Sequence, residues 1–265
     1  MSDGGRALAI AVIGCGRMGR AVEQVARNRG HRIVARIDPR GGEGITAREL
    51  DASTVAGADV AIEFTTPEAA PENLRRLIDL GVCVVSGTTG WTDGRLDAMR
   101  ERARERETGF VWAPNFALGM QAMFRITAHA AGLLGRLGGF APFLVEEHHD
   151  AKKDAPSGTA ARLAEILVEA TPGKARWGVA PQREPVPADM LSVAWIRAGS
   201  IPGTHRCGWD GAAETIELVH RARDRSVFAV GAVTVAEWLA ADPGVFTLDE
   251  LIDRRLGLHD KGESR

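Results

Sequence analysis

The sequence predicts an α/β fold in two parts, a parallel sheet covered by helices and then a central α+β region. Three observations carry this. Short β-rich apolar runs alternate with helical patterns up to about Trp112. A long helical pattern with small residues, Ala117 to Gly135, interrupts that alternation. Beyond it strand patterns recur without regularly interleaved helices, and helical patterns return only near the end.

The expected strands of the first part are Leu8 to Ile13, Arg32 to Ile37, Asp59 to Phe64, Cys83 to Ser86 and Phe110 to Trp112. Helical segments separate them around Met18 to Arg29, Pro67 to Leu80 and Asp93 to Arg106, the last charged on most faces and read as solvated. In the second part the expected strands are Phe143 to His148, Leu191 to Arg197 and Thr215 to His220. Thr171 to Asp189 is proline-rich and lacks periodicity, which predicts a long loop. Val230 to Ala241 and Leu248 to Leu256 are expected helices that pack back on the first part, so the expected division is 1–117 with 226–265, and 118–225.

A net charge of -2 with mixed signs gives no broad basic field for nucleic acid or an anionic membrane. The three cysteines, Cys15, Cys83 and Cys207, are widely spaced and form no CxxC pair, which suits a reducing cytoplasm. After the short polar lead Met1 to Arg6, the apolar run Ala7 to Ile13 is too short to span a bilayer and lacks the flanks of a signal peptide. A soluble, cytoplasmic protein is expected.

Gly14-Cys15-Gly16-Arg17-Met18-Gly19 has the G-x-G-x-x-G spacing, after an expected strand and at an expected helix start. Gly14 permits the tight turn, Gly16 lets backbone approach a pyrophosphate, and Gly19 allows close packing of helix on strand. Asp38 ends the second strand, where a carboxylate accepts hydrogen bonds from ribose hydroxyls. The pair predicts a nicotinamide dinucleotide. Asp38 favours NADH, whereas Arg40 offers a cation to the 2′-phosphate of NADPH. Ser86-Gly87-Thr88-Thr89-Gly90 and Ala113-Pro114-Asn115-Phe116 follow the fourth and fifth strands, at the sheet edge where ligands bind; plain turn formation is the competing reading.

The segment Glu146 to Ala160 reads EEHHDAKKDAPSGTA. Ser157-Gly158-Thr159 precedes the apolar-periodic run Ala161 to Ala170, so the N–H groups of a helix start and the Thr159 hydroxyl present donors to a small anion. Upstream, the histidines and Lys152 supply proton chemistry suited to reduction of a C=N or conjugated C=C bond. The competing readings are a solvated charged turn and a metal site. Successive strand residues face opposite ways, so His148 and His149 do not share an ion, which leaves His205 or His220 as distant ligands, and no metal is expected.

With these residues in view, the chain resembles the 4-hydroxy-tetrahydrodipicolinate reductase family, also called dihydrodipicolinate reductase. Residues 146 to 160 match every fixed position of its signature E-x-H-H-x-x-K-x-D-A-P-S-G-T-A. Similarity extends to Gly16-Arg17-Met18-Gly19, Phe64-Thr65-Thr66-Pro67, Ser86 to Gly90, Asn115-Phe116, Arg197-Ala198-Gly199 with Gly203 and His205, and Phe228 with Gly231-Ala232-Val233. The resemblance implies a Rossmann-type dinucleotide-binding domain and a central substrate domain that also forms a homotetramer. It implies reduction of hydroxy-tetrahydrodipicolinate in the diaminopimelate route to lysine. His148 and Lys152 match the family's proton donors, and His149, Gly158 and Thr159 its contacts to the substrate dicarboxylate. Gly14 to Gly19, Asp38, Gly87, Thr88, Thr89, Ala113, Pro114, Asn115 and Phe116 match its cofactor site.

This chain departs from many members in a glycine turn one residue shorter, in Pro39 where Arg follows the acidic residue, in Gln121 where Asn is usual, and in Lys153 where an apolar residue is frequent. Two other functions compete: a related imine reductase or amino-acid-derived-acid dehydrogenase, and a non-catalytic sensor of a dinucleotide and an acidic metabolite. The retained His148 and Lys152 argue against the sensor.

Overall fold

The computed structural model describes residues 6–180 and 183–258. The polar lead before Arg6, Pro181 and Gln182 of the proline-rich loop, and the tail beyond Leu258 lie outside the described residues. The chain divides into two compact units, one running up to Ala117 and resuming at Arg225, the other spanning Leu118–Asp224. The second boundary falls one residue before the sequence expectation because Arg225 is already the N-cap of a helix.

The first unit is built on β1 (Ala9–Ile13), β2 (Arg32–Ile37), β3 (Val60–Glu63), β4 (Cys83–Ser86), β5 (Phe110–Trp112) and β11 (Val245–Thr247). These pair in parallel in the order β11-β5-β4-β3-β1-β2. Every residue of β1 and β3 is buried, as expected of parallel strands covered on both faces. Ala11, Ile13, Ala35, Ile37 and Ala61 join a core with Leu74, Leu77 and Ile78 of α2 (Ala70–Asp79) and Ala103 of α3 (Arg95–Glu105). The alternate side chains Ile10, Val12, Val60 and Ile62 are equally buried and face α1 (Arg17–Asn28) and α6 (Ser226–Ala241). The chain leaves β1 toward β2 on one side and returns to β3 on the other, so the carboxyl ends of β1 and β3 flank the point where strand order reverses.

The second unit holds a five-stranded mixed sheet ordered β10-β9-β6-β8-β7. Its strands are β6 (Ala141–His148), β7 (Arg176–Gly178), β8 (Met190–Arg197), β9 (Thr204–Asp210) and β10 (Thr215–Arg221). Helices α4 (Leu118–Leu137) and α5 (Gly158–Ala170) pack against one face. Burial along β6 alternates, placing Pro142, Leu144, Glu146 and His148 on the covered face. In α7 (Leu248–Leu256) of the first unit, a reciprocal capping box between Thr247 and Glu250 sets the helix start.

Three strands are absent from the sequence expectation. β7 lies inside the expected loop, and β11 is likewise only three residues long; both are set by neighbouring strands. β9 carries Gly208 mid-strand against the Phe143 ring and is followed by Gly211, so its apolar alternation is broken.

Candidate active site

In the first unit the site is assembled on backbone at the carboxyl edge of the sheet. Each loop begins with a hydrogen bond to a neighbouring strand: Gly14 N–H donates to the Ile37 carbonyl at 2.9 Å, Phe64 N–H to Ile13 at 2.9 Å, Gly87 N–H to Glu63 at 3.0 Å and Ala113 N–H to Ser86 at 3.2 Å. Gly14 turns through a φ of 86°, Gly16 caps α1 in extended conformation, and the buried Gly19 lies so close to Gly14 that a Cβ there would run into the Gly14 carbonyl. Arg17 is exposed and Met18 half-buried on the first turn of α1.

Asp38 is 4% exposed and fully engaged. It accepts from Cys15 N–H at 3.0 Å and from Arg40 through the backbone N–H at 3.1 Å, Nε at 3.0 Å and Nη2 at 2.9 Å. The Arg40 side chain beside it, with burial opposing, holds the Asp38 carboxyl down to about 2. Asp38 and Arg40 are thus one charge-paired unit beside the glycine turn.

Thr88 is buried and faces inward. Its hydroxyl donates to Glu63 at 2.8 Å, and its carbonyl accepts the indole N–H groups of Trp91 at 2.7 Å and Trp112 at 2.8 Å. Gly87 lies against the Phe64 ring, where a Cβ would clash, while Thr89 is exposed. Phe64 meets Phe116 edge to face at 6.3 Å, and the Asn115 side chain accepts from Ala117 N–H at 2.8 Å. Ala113 is buried and Pro114 exposed. The structure therefore gathers the glycine turn, the 87–89 loop and the 113–116 loop around the end of β3, a segment the sequence reading left without a role.

In the second unit the end of β6 and the start of α5 meet. Ser157 caps α5, its hydroxyl accepting from Ala160 N–H at 3.2 Å. Gly158 is exposed, with nothing within 4 Å of where a Cβ would stand, so the first turn of α5 is open to an anion at the helix N-terminus. Thr159 follows it, half-buried. His149 is half-buried, and its carbonyl accepts from Lys152 N–H at 3.1 Å. Lys152 extends its ammonium to Asp154 at 2.7 Å.

Beneath these lies a network centred on Glu146, which is 0% exposed. It accepts from Ser157 N–H at 2.8 Å, from the Ser157 hydroxyl and from Arg197 Nη2 at 2.7 Å. The same Arg197 nitrogen donates to the Asp154 carbonyl at 2.7 Å. Nδ1 of His148 lies 3.1 Å from the Glu146 carboxylate but off the hydrogen-bond direction. His205 packs edge to face on His148 at 5.3 Å, and a Cβ at Gly203 would stand 3.0 Å from His148 Nε2. Burial raises the Glu146 carboxyl, but the His148 imidazole 3.1 Å away and hydrogen bonds from Ser157 and Arg197 outweigh it and hold the group well below the usual carboxylate range.

Burial, reinforced by the His148 charge and partly offset by Glu146, lowers His205 to about 4 from an ordinary 6.5. The unfolded chain therefore takes up this proton more readily than the folded one, and native stability falls as pH drops from 6.5 toward 4. The loss is on the order of 3 kcal/mol for this group. Denaturation midpoints measured between pH 7 and pH 4.5 are expected to show this decline, and His205→Gln to flatten it; an unchanged slope in the variant would contradict a buried neutral histidine.

Glu146, His148 and His205 bring ligand atoms within 4.8 Å of one another, a spacing a divalent ion can bridge. Arg197 already supplies the positive charge on Glu146, so the cluster is accounted for without an ion. Of this network the sequence reading weighed His148 as a proton donor, Ser157 as part of the α5 start and His205 as a distant ligand, and named Glu146, Arg197 and Gly203 only among the positions that match the family. The available signal was Glu146 two residues before His148, on the same face of one strand; the register Glu146↔His205 was not legible.

The chain matches the family model described as "Dihydrodipicolinate reductase, N-terminus" over residues 8–116 and the one described as "Dihydrodipicolinate reductase, C-terminus" over residues 119–252. It is 35% identical over 243 residues to a 4-hydroxy-tetrahydrodipicolinate reductase of Christiangramia forsetii, covering 92% of this chain and 97% of that one. It is 36% identical over 271 residues to the protein of that name from Archaeoglobus fulgidus, covering 92% and 99%. The fold is shared with a dipicolinate-bound dihydrodipicolinate reductase from Paenisporosarcina sp. TG-14, at a TM-score of 0.73 and 22% identity over 92% of this chain and 97% of the other. With both halves matched across nearly the whole sequence, the chain belongs to the dihydrodipicolinate reductase family.

Proposed function

We propose that the protein reduces 4-hydroxy-tetrahydrodipicolinate, after loss of water, to tetrahydrodipicolinate with a nicotinamide dinucleotide, in the diaminopimelate route to lysine. The observation that carries this is the second unit's arrangement, where His148 and Lys152 stand with the open first turn of α5 over a buried Glu146–Arg197 pair. His148 and Lys152 supply the proton that ring reduction requires. His149, Gly158 and Thr159 bind the two carboxylates, using helix N–H groups and a hydroxyl as donors. Asp154 and Arg197 keep Lys152 and the carboxylate-binding turn in register.

In the first unit Gly14, Cys15, Gly16, Arg17, Met18 and Gly19 form the pyrophosphate turn, Asp38 the ribose contact, and the 87–89 and 113–116 loops the remaining cofactor wall. The positive φ at Gly14 and the Gly16 cap fit a dinucleotide there. When bound, NADH or NADPH supplies the hydride. NADH is favoured because Asp38 stands where ribose hydroxyls bind, with Arg40 as the group that admits NADPH. Arg40→Ala is accordingly expected to weaken NADPH by about tenfold and NADH by less than about twofold, read from the two dissociation constants. Equal loss for both would remove Arg40 from cofactor choice.

Cross-strand neighbours Val145, Ala194, Arg206 and Val219 share the sheet face turned away from Glu146, with Ile196 49% and Val219 43% exposed on it. On this face the half-exposed apolar side chains stand beside Arg206, which meets Glu147 and Glu217, and it is the surface we assign to self-association as the family's homotetramer. Among the described residues no helix is long and apolar enough to cross a membrane.

The deciding assay makes the unstable substrate in situ from pyruvate and aspartate semialdehyde and follows NADH or NADPH oxidation. Enzyme-dependent oxidation is expected; its absence with both cofactors would overturn the proposal.

A further inference from the structure

Glu63 closes β3 at the strand-order reversal and is 0% exposed. Its carboxylate accepts hydrogen bonds from Thr65 N–H at 2.9 Å, the Thr65 hydroxyl, the Ser86 hydroxyl at 2.6 Å and the Thr88 hydroxyl at 2.8 Å. The donors therefore come from two chain segments and engage both oxygens, three bonds on Oε1 and one on Oε2. Its donors are all neutral groups, so among the described residues this fully buried carboxylate is held without a cation. Such a group is costly to bury unless each oxygen is satisfied. An apolar residue would fill the space at less cost.

The two segments it joins are those that matter to the first unit's ligand edge. Thr65 N–H also donates to the Thr88 hydroxyl at 2.8 Å, closing a ring of Glu63, Thr65 and Thr88. Between them Phe64 presses its ring on Gly87 and Phe116, and its carbonyl and the Thr65 methyl abut Gly14. Moving the Glu63 carboxylate would thus disturb the glycine turn, the 87–89 loop and the 113–116 loop at once.

We infer that Glu63 is the positioning residue of the cofactor site, its carboxylate fixing Thr65 and Thr88 so that the three loops present one pre-formed surface to the dinucleotide. This rests on the reading of that edge as a dinucleotide site. Glu63 touches neither reactant; it acts through Thr88, whose side chain is consumed by this bond while the neighbouring Thr89 is exposed.

The test uses the full chain with Glu63→Gln, Glu63→Asp and Thr88→Val. NADH affinity is measured by calorimetry without the acid substrate, and KM values for NADH and for the acid are measured separately. Glutamine keeps the volume but replaces one acceptor oxygen by a donor, so Glu63→Gln is expected to weaken NADH binding by about tenfold, with KM for the acid within about twofold. Thr88→Val, which keeps the carboxylate and removes its link to the loop, should reproduce that loss. Glu63→Asp, which keeps the acceptors on a shorter stem, should recover part of it. Unchanged NADH affinity in Thr88→Val overturns the inference even where Glu63→Gln does not fold. Equal rises in both KM values overturn it too, since a general loosening and not loop positioning would then be at work. Wild-type protein that binds neither NADH nor NADPH would instead overturn the cofactor reading itself.

Discussion

Lys152→Ala is expected to lower kcat by about 10²- to 10⁴-fold while leaving NADH affinity within about twofold of wild type. The lysine belongs to the second unit, where its ammonium sits 2.7 Å from Asp154 within the β6 to α5 connection. The residues assigned to the dinucleotide all belong to the first unit. Loss of a proton donor acts on the reduction step and leaves uniform binding of the cofactor intact. The partly exposed Lys152–Asp154 pair contributes only about 0–1 kcal/mol to folding, so the melting temperature should barely move. The check is paired: kcat by the coupled assay and NADH affinity by calorimetry on the same preparation. A parallel loss of both would remove Lys152 from proton delivery.

The second large effect is expected at Gly14. An alanine there must adopt a φ of 86° and place its Cβ into the Phe64 carbonyl, at the junction where three loops meet. The conformational cost of about 1–2 kcal/mol adds to a clash with backbone that cannot swing aside, for a total destabilisation of roughly 2–4 kcal/mol. NADH binding should fall by more than about tenfold, because the turn must open to relieve the clash. Gly30→Ala provides the comparison: its φ is 83°, but nothing lies within 4 Å of the added Cβ. It should show the conformational cost alone and leave cofactor affinity unchanged. Denaturant midpoints and NADH titration on both variants separate the two contributions. If Gly14→Ala behaves like Gly30→Ala, the close approach at Phe64 carries no function.

What was legible in the sequence is what neighbouring residues determine. The strands from β1 to β5 were readable because buried parallel strands are continuous Val- and Ile-rich runs between helical patterns. The glycine turn was readable because its spacing states a steric requirement, and the start of α5 because Ser157-Gly158-Thr159 carries cap chemistry ahead of an apolar run. The Glu146 to Ala160 segment also carried enough specific residues to name a family.

Only the tertiary structure decided which distant groups meet. Glu146 acquires Arg197 and His205 from β8 and β9 through strand register, at separations of 51 and 59 residues for which no local pattern exists. Thr88, expected as a direct cofactor contact, turns its side chain inward because Glu63 lies one strand away and needs its hydroxyl. The short strands β7 and β11 exist because a neighbouring edge accepts them. Local periodicity and turn chemistry are written along the chain, whereas the satisfaction of a buried charge depends on which strands lie side by side, and that is settled only when the sheets form.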